Sequence, residues 1–209
     1  MRLNRIFVVS LALSTGAVWA QSYVGALVAL TDLGVSCSSG ARCDGRGNGF
    51  RIFAGTKLEK PIMQLGPVGV NVVEVGAMRF GKATAEGETQ VTVNGVSSPV
   101  VQTVPVKTTV SANALTFALG SSMSVAQGFT VTPKVGFAYV SGSYKVNLDG
   151  VSQGGETKSS LQPYLGISAA YEAAPGVSVN AGLDWTRVRV ESLGTGSAVQ
   201  LGLGASLAF

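Results

Sequence analysis

Ser197-Ala198-Val199-Gln200-Leu201-Gly202-Leu203-Gly204-Ala205-Ser206-Leu207-Ala208-Phe209 is the stretch that decides the fold class. Counting back from Phe209, every second residue is apolar: Leu207, Ala205, Leu203, Leu201 and Val199. The residues between them are small or polar: Ala208, Ser206, Gly204, Gly202 and Gln200. A period of two marks a β-strand whose two faces meet different surroundings. Here the apolar face continues to an aromatic with no polar tail after it. A membrane-crossing strand places an aromatic at the lipid–water boundary, whereas a soluble sheet rarely exposes a terminal Phe. An ordinary antiparallel strand is the alternative.

Working outward, the 209 residues suit one domain. Charged residues make up 12% of the chain, and there are 28 glycines. That charge content is half the usual quarter of a soluble chain. Outside the N-terminus no apolar run approaches the ~18 residues of a spanning helix. Low charge, abundant glycine and short apolar runs together predict a sheet protein with many close backbone approaches.

The first twenty residues have the order of a secretory signal: basic Arg2 and Arg5, apolar Ile6 to Leu13, then small residues through Ala20. Cleavage between Ala20 and Gln21 is expected, giving 1–20 as signal and 21–209 as barrel domain. Removing Arg2 and Arg5 takes 15 basic residues to 13 against 11 acidic ones, so the net charge falls from +4 to +2. The basic character thus belongs partly to the signal. No Lys/Arg stripe interleaved with aromatics suggests nucleic acid. Export implies an oxidising compartment, where Cys37 and Cys43 are expected to form a disulfide across a short polar segment.

Alternation recurs along the chain. It covers Ser22 to Leu33, then Phe50 to Leu58, where Phe50, Ile52, Ala54 and Leu58 oppose Arg51, Phe53, Gly55 and Lys57. The Gly45-Arg46-Gly47-Asn48-Gly49 cluster lacks a strand–turn–helix frame for a phosphate loop and is expected to be a flexible surface loop. Glu59 to Gly69, with two prolines, is expected to be a turn. In Phe129–Tyr139 the apolar set Phe129, Val131, Val135, Phe137 and Tyr139 opposes Thr130, Thr132, Lys134, Gly136 and Ala138. From Val177 to Trp185 an apolar set again opposes Ser178, Asn180, Gly182 and Asp184.

Glu74-Val75-Gly76-Ala77-Met78-Arg79-Phe80-Gly81-Lys82 resembles the third strand of the OmpA-type outer-membrane barrels. Leu115–Gly120 resembles the fourth strand of that family, Phe129–Tyr139 the fifth, and the spacing of Pro163, Tyr171, Pro175 and Trp185 the sixth and seventh. The resemblance implies an all-β fold, an eight-stranded antiparallel up-and-down transmembrane barrel of the OmpA/OmpX kind. It also implies an address in the Gram-negative cell outer membrane, reached through the periplasm. The C-terminal strand, through Leu203, Ala205, Leu207 and Phe209, is similar to the signal that the barrel assembly machinery reads in such proteins. A soluble lipocalin-type barrel is the structural rival. Phase favours the membrane, because the face dominated by Gly, Ala, Ser and Thr suits a cramped lumen and is too poor in charge for a solvated exterior. Pro133 and Pro163 are expected to sit in local bulges, since proline breaks a ladder.

The chain has no histidine, which removes Ser-His-Asp chemistry and four-ligand metal sites built on Cys37 and Cys43. No enzyme activity and no cofactor are expected. Arg51 or Lys57, Glu74, Lys134 and Asp184 fall mid-strand on the inward phase. Such charges must pair in a narrow lumen, so they are expected to form a closing ion-pair network. Ala118, Ala170 and Asn180 stand where OmpA carries inward charges, which removes the basis for transferring its gating.

Asn94-Gly95 and Asp149-Gly150 are two-residue hairpin signals. Taking them as tips gives arms of Val68–Val93, Val96–Gly120, Phe129–Leu148 and Val151–Tyr171. These exceed the ~9–11 residues that cross a membrane, so the four middle strands are expected to protrude as a sheet. A flexible loop over Ala83–Gln102 is the alternative. The expected function is envelope-structural or adhesive, through loops and sheet; a narrow OmpW-like channel for small or hydrophobic solutes is the rival. Expected partners are outer-membrane lipid and lipopolysaccharide, the assembly machinery and periplasmic chaperones in transit, and a host or surface protein as ligand. The chain is expected to act as a monomer without nucleic acid.

Overall fold

The computed structural model describes residues 20–34, 42–66, 68–94, 99–190 and 194–209. Its strands are β1 (Ala20–Leu33), β2 (Arg42–Asp44), β3 (Arg46–Leu58), β4 (Met63–Leu65), β5 (Val68–Val70) and β6 (Val72–Asn94). They continue as β7 (Pro99–Gly120), β8 (Met123–Ala126), β9 (Phe129–Leu148), β10 (Val151–Ala174), β11 (Val177–Val190) and β12 (Gly194–Ala208). Eight of them close an antiparallel barrel in the order β1-β3-β6-β7-β9-β10-β11-β12, with β12 returning to β1. The short β2 adds to β6, β8 adds to β9, and β4 pairs with β5.

Register sets the shape. Paired positions starting at Tyr171 run through Val179, Ala205, Ala26, Ile52, Ala77, Leu115 and Tyr139 to Leu161. One circuit therefore returns ten positions along β10 (171 − 161). That stagger tilts the strands, and eight tilted strands leave an interior that side chains just fill. The apolar phase points outward: Val28 is 74% exposed, Leu203 63% and Phe137 59%, whereas inward Ala118 is 1%. This exposed band is the lipid-facing surface.

The interior is not polar throughout, as the sequence led us to expect. Leu33, Met78, Phe80, Val110, Val140 and Val188 are buried together in the upper half. The phase change comes from Gly81, whose φ of 73° lies in the left-handed region and whose pairing with β7 shifts between Arg79 and Lys82. Met78 and Phe80 point inward before this bulge, and Ala83 after it.

Other expectations are corrected in the same way. Gly45–Gly49 is not a loop: β3 begins at Arg46, and Gly49 lies so close to β6 that a Cβ would collide with the Arg79 carbonyl oxygen. The Glu59–Gly69 segment holds β4 and the start of β5. Neither Pro133 nor Pro163 makes a bulge in the β9–β10 register. The carbonyl of Pro133 accepts Ser121 N–H at 3.1 Å, so its missing N–H faces the gap between the ends of β7 and β8. The carbonyl of Pro163 accepts the Thr186 hydroxyl at 2.9 Å, one position above the last β10–β11 pair, Tyr164 with Thr186. Each proline therefore sits where a ladder stops.

The middle strands β6, β7, β9 and β10 have 23, 22, 20 and 24 residues. The flanking β1, β3, β11 and β12 have 14, 13, 14 and 15. The excess forms a four-stranded extension above the closed part. Its β9–β10 hairpin turns on Asp149 (φ 48°) and Gly150 (φ 79°), the left-handed pair of a type I′ turn, between paired Leu148 and Val151. The β6–β7 pairing reaches Asn94 with Pro99, while Gly95 lies outside the described residues.

Candidate functional site

The candidate residues fall in two places: the lumen at mid-height and the extension above it. In the lumen, Arg51 on β3 bridges two carboxylates. Its Nη2 donates to Glu74 Oε1, and its Nη1 donates to Asp184 Oδ1 at 2.6 Å. Lys134 Nζ donates to Glu74 Oε1 at 2.9 Å and to Oε2 at 3.3 Å. Two cations and two anions, each no more than 5% exposed, thus meet as a neutral set. Burying any one of them alone would be costly; burying them paired keeps the set tolerable.

Lys57 does not join them. It shares the inward phase of Arg51, but it lies near the end of β3 opposite Gln21, and it is exposed there. Three lumen residues escaped sequence reasoning. Tyr23 Oη donates to Glu74 Oε2 at 2.9 Å, Tyr164 Oη donates to Asp184 Oδ1, and the Phe53 ring lies 5.3 Å from the Arg51 guanidinium and 5.9 Å from Lys134 Nζ. The hydroxyls occupy carboxylate lone pairs, and the ring face attracts both cations.

Small residues make the room. Phe53 lies opposite Gly25 on β1 and Gly76 on β6. Lys134 lies opposite Gly120 and Gly166, Glu74 opposite Gly55 and Ala118, and Tyr164 opposite Gly136. Bulky inward groups therefore alternate with Gly or Ala on neighbouring strands. This pattern was the available sequence signal, but it becomes visible only once register is known. Ala118 and Asn180 are buried and Ala170 half-buried, so none adds charge to the lumen.

Above the barrel the strands separate. The β10–β11 ladder ends at Tyr164, whereas β10 stays paired with β9 up to Val151. From Val151 to Pro163 one side of β10 has no ladder among the described residues. The opposite margin of the extension is β6, which β2 covers only from Thr84 to Glu86. On the outer face Glu86 and Lys107 pair at 2.7 Å, and the Lys107 hydrogen bond and charge hold the Glu86 carboxyl below its usual range. Of the remaining sequence candidates, Leu203, Ala205, Leu207 and Phe209 all face outward on the last strand and Phe209 is 76% exposed. Ala20 and Gln21 open β1, and Cys43 lies in β2 while Cys37 falls outside the described residues.

The fold is similar to that of solved outer-membrane barrels. Ail, the attachment invasion locus protein of Yersinia pestis, solved with the heparin analogue sucrose octasulfate, superposes with a TM-score of 0.50 at 13% identity over 91% of this chain and 99% of Ail. Neisserial surface protein A gives 0.44 at 13% identity over 90% and 97%. OprG of Pseudomonas aeruginosa gives 0.43 at 8% identity over 91% and 95%. At such identities the likeness concerns the fold. No curated protein sequence matches the chain. Residues 6–209 match the outer membrane protein beta-barrel domain, so the chain belongs to that family of outer-membrane barrels.

Proposed function

We propose that this chain is a non-enzymatic surface protein that binds other macromolecules through the sheet standing above its barrel. The unladdered side of β10 between Val151 and Pro163 carries this reading. Exposed backbone N–H and C=O groups in a row can receive a strand from a partner, as in β-augmentation. The shared fold with Ail, an attachment protein, agrees with that role. Amide hydrogen exchange in detergent tests the sheet: protection is expected over residues 84–94, 99–104 and 147–158. Rapid exchange throughout these segments would leave only flexible loops and remove the proposal.

An OmpW-like channel is the second reading, and the lumen weighs against it. Arg51, Glu74, Lys134 and Asp184 cross the bore, with Phe80 and Met78 buried above them. Export by a signal cleaved between Ala20 and Gln21 belongs to the same proposal, as does a Cys37–Cys43 disulfide. Mass spectrometry of protein from envelopes should find residue 21 first and both thiols oxidised.

A further inference from the structure

The end of the β10–β11 ladder leaves two free edges, not one. Above Tyr164 and Thr186, among the described residues, β10 pairs only with β9, and β11 pairs only with β12, up to Val190 opposite Gly194. The carbonyl of Pro163 points toward β11, since it accepts the Thr186 hydroxyl at 2.9 Å. Backbone direction alternates along an antiparallel strand. Leu161, Ser159 and Thr157, in unbroken register with β9, therefore turn their N–H and C=O groups to that same side. In the register of Tyr164 with Thr186, the position facing Pro163 is Arg187, so Arg187 and Arg189 turn theirs toward β10. The result is a notch with unladdered backbone groups on both sides.

The two sides of the notch differ in charge on the outer face. There β10 presents Leu161, Ser159 and Thr157, all exposed and uncharged, while Glu156 and Lys158 belong to its other face. On the opposite side β11 presents Arg187 and Arg189, both exposed. Neither forms an ion pair among the described residues. The Trp185 ring, 6.0 Å from the Arg187 guanidinium, keeps that charge on the outer surface. Two residues apart on one strand, the arginines repeat at about 7 Å, which is also the spacing of alternate side chains on any strand laid beside them.

We infer that this notch receives an extended segment of a partner protein that carries acidic side chains at two alternate positions. The inference rests on the strand-addition reading above and names the chemistry of the added strand. A strand docked antiparallel on β10 runs upward from Pro163, about 4.8 Å from that edge. Its outward side chains stand beside Leu161 and Ser159 on one side and face Arg187 and Arg189 on the other. Carboxylates at those positions complete two cross-strand pairs of opposite charge, whereas cations there would meet like charge. Backbone pairing supplies the affinity, and the two arginines supply the choice of sequence.

The test uses the full-length barrel in uncharged detergent and three capped, dye-labelled peptides of Thr and Val that differ only at two alternate positions: both Glu, both Gln or both Lys. Fluorescence anisotropy should show the Glu peptide binding about tenfold more tightly than the Gln peptide, the gain expected of two exposed charge pairs, and the Lys peptide binding most weakly. The Arg187→Gln/Arg189→Gln variant should bind the Glu peptide only as well as the Gln peptide, and the Gln peptide as the unmodified barrel does. Arg187→Lys/Arg189→Lys should keep the preference, and its loss there would overturn the role of charge. Amide exchange should slow at 155–162 and 187–190 when the Glu peptide binds; slowing at 87–94 instead would overturn the notch. Equal affinity of the unmodified barrel for the Glu and Gln peptides would overturn the acidic preference and leave strand addition standing. Binding of no peptide would overturn both, as would unaltered binding of a Glu peptide N-methylated at alternate amides, which cannot form a ladder.

Discussion

Arg51 and Asp184 stand 133 residues apart in sequence, yet Nη1 of one and Oδ1 of the other lie 2.6 Å apart across the lumen. Their strands, β3 and β11, are separated by β1 and β12. The contact spans the β1–β12 seam that closes the barrel, so it forms only when that seam has formed.

Replacing Arg51 with Met should leave Glu74 with Lys134 alone and Asp184 with no cation. Removing one partner of a buried pair costs about 3–5 kcal/mol, because the partner stays buried. Urea unfolding in lipid vesicles should show that loss, and a shift under about 1 kcal/mol would mean that the lumen is hydrated enough to carry the charge.

Glu74→Ala should cost a few kcal/mol, about as much as a broken buried pair, since both Lys134 and Arg51 lose a carboxylate. Adding Lys134→Met to that variant should recover part of the stability, giving a coupling of at least about 0.5 kcal/mol in the double-mutant cycle. Strict additivity would show that the two side chains do not act on each other.

A Cβ at Gly55 would run into the Tyr23 hydroxyl and lie 2.9 Å from the Val73 carbonyl oxygen. Gly55→Ala is accordingly expected to push Tyr23 off Glu74 and to destabilise by about 1–3 kcal/mol. Tyr23→Phe in the same background should relieve part of that cost; no relief would place the conflict with the Val73 backbone.

In planar bilayers the unmodified protein should show no wide, steady conductance. The paired Arg51, Glu74, Lys134 and Asp184 cross the bore, and Phe80 and Val140 are buried in the half above them. A stable large conductance would refute the plugged lumen and favour the channel.

Deleting Phe209 should leave the chain in the periplasm or degraded, because the last outward strand loses its aromatic end. Normal outer-membrane abundance of the truncated chain, measured by fractionation, would show that insertion does not depend on it.

Much of this architecture was legible because a period of two runs through long stretches of the barrel strands. The last strand, the outward phases of β9 and β11 and the Asp149-Gly150 turn all follow from alternation and turn chemistry. Charges isolated on a glycine-rich phase likewise pointed to Arg51, Glu74, Lys134 and Asp184. What the sequence hid depends on register. Tyr23, Phe53 and Tyr164 look like stray aromatics until pairing sets each of them beside a glycine. Lys57 has the right phase, and only its height excludes it. Gly81 changes the phase of β6 by a single residue, so Phe80 and Ala83 both enter the core, which no fixed period predicts. The prolines were misjudged because nothing local shows where a neighbouring strand ends.

Pro163 gives β10 two allegiances. Below it the strand is zipped to β11 and belongs to the membrane wall; above it the same strand is released. A residue with an N–H at this position would let the zipper run further, joining β10 to Arg187 and Arg189 of β11. Every pair so gained would lengthen the wall and shorten the edge left for a visitor. The height of the wall and the reach of the edge are thus a single quantity divided at one residue, and a family of such barrels could trade one for the other by moving a proline.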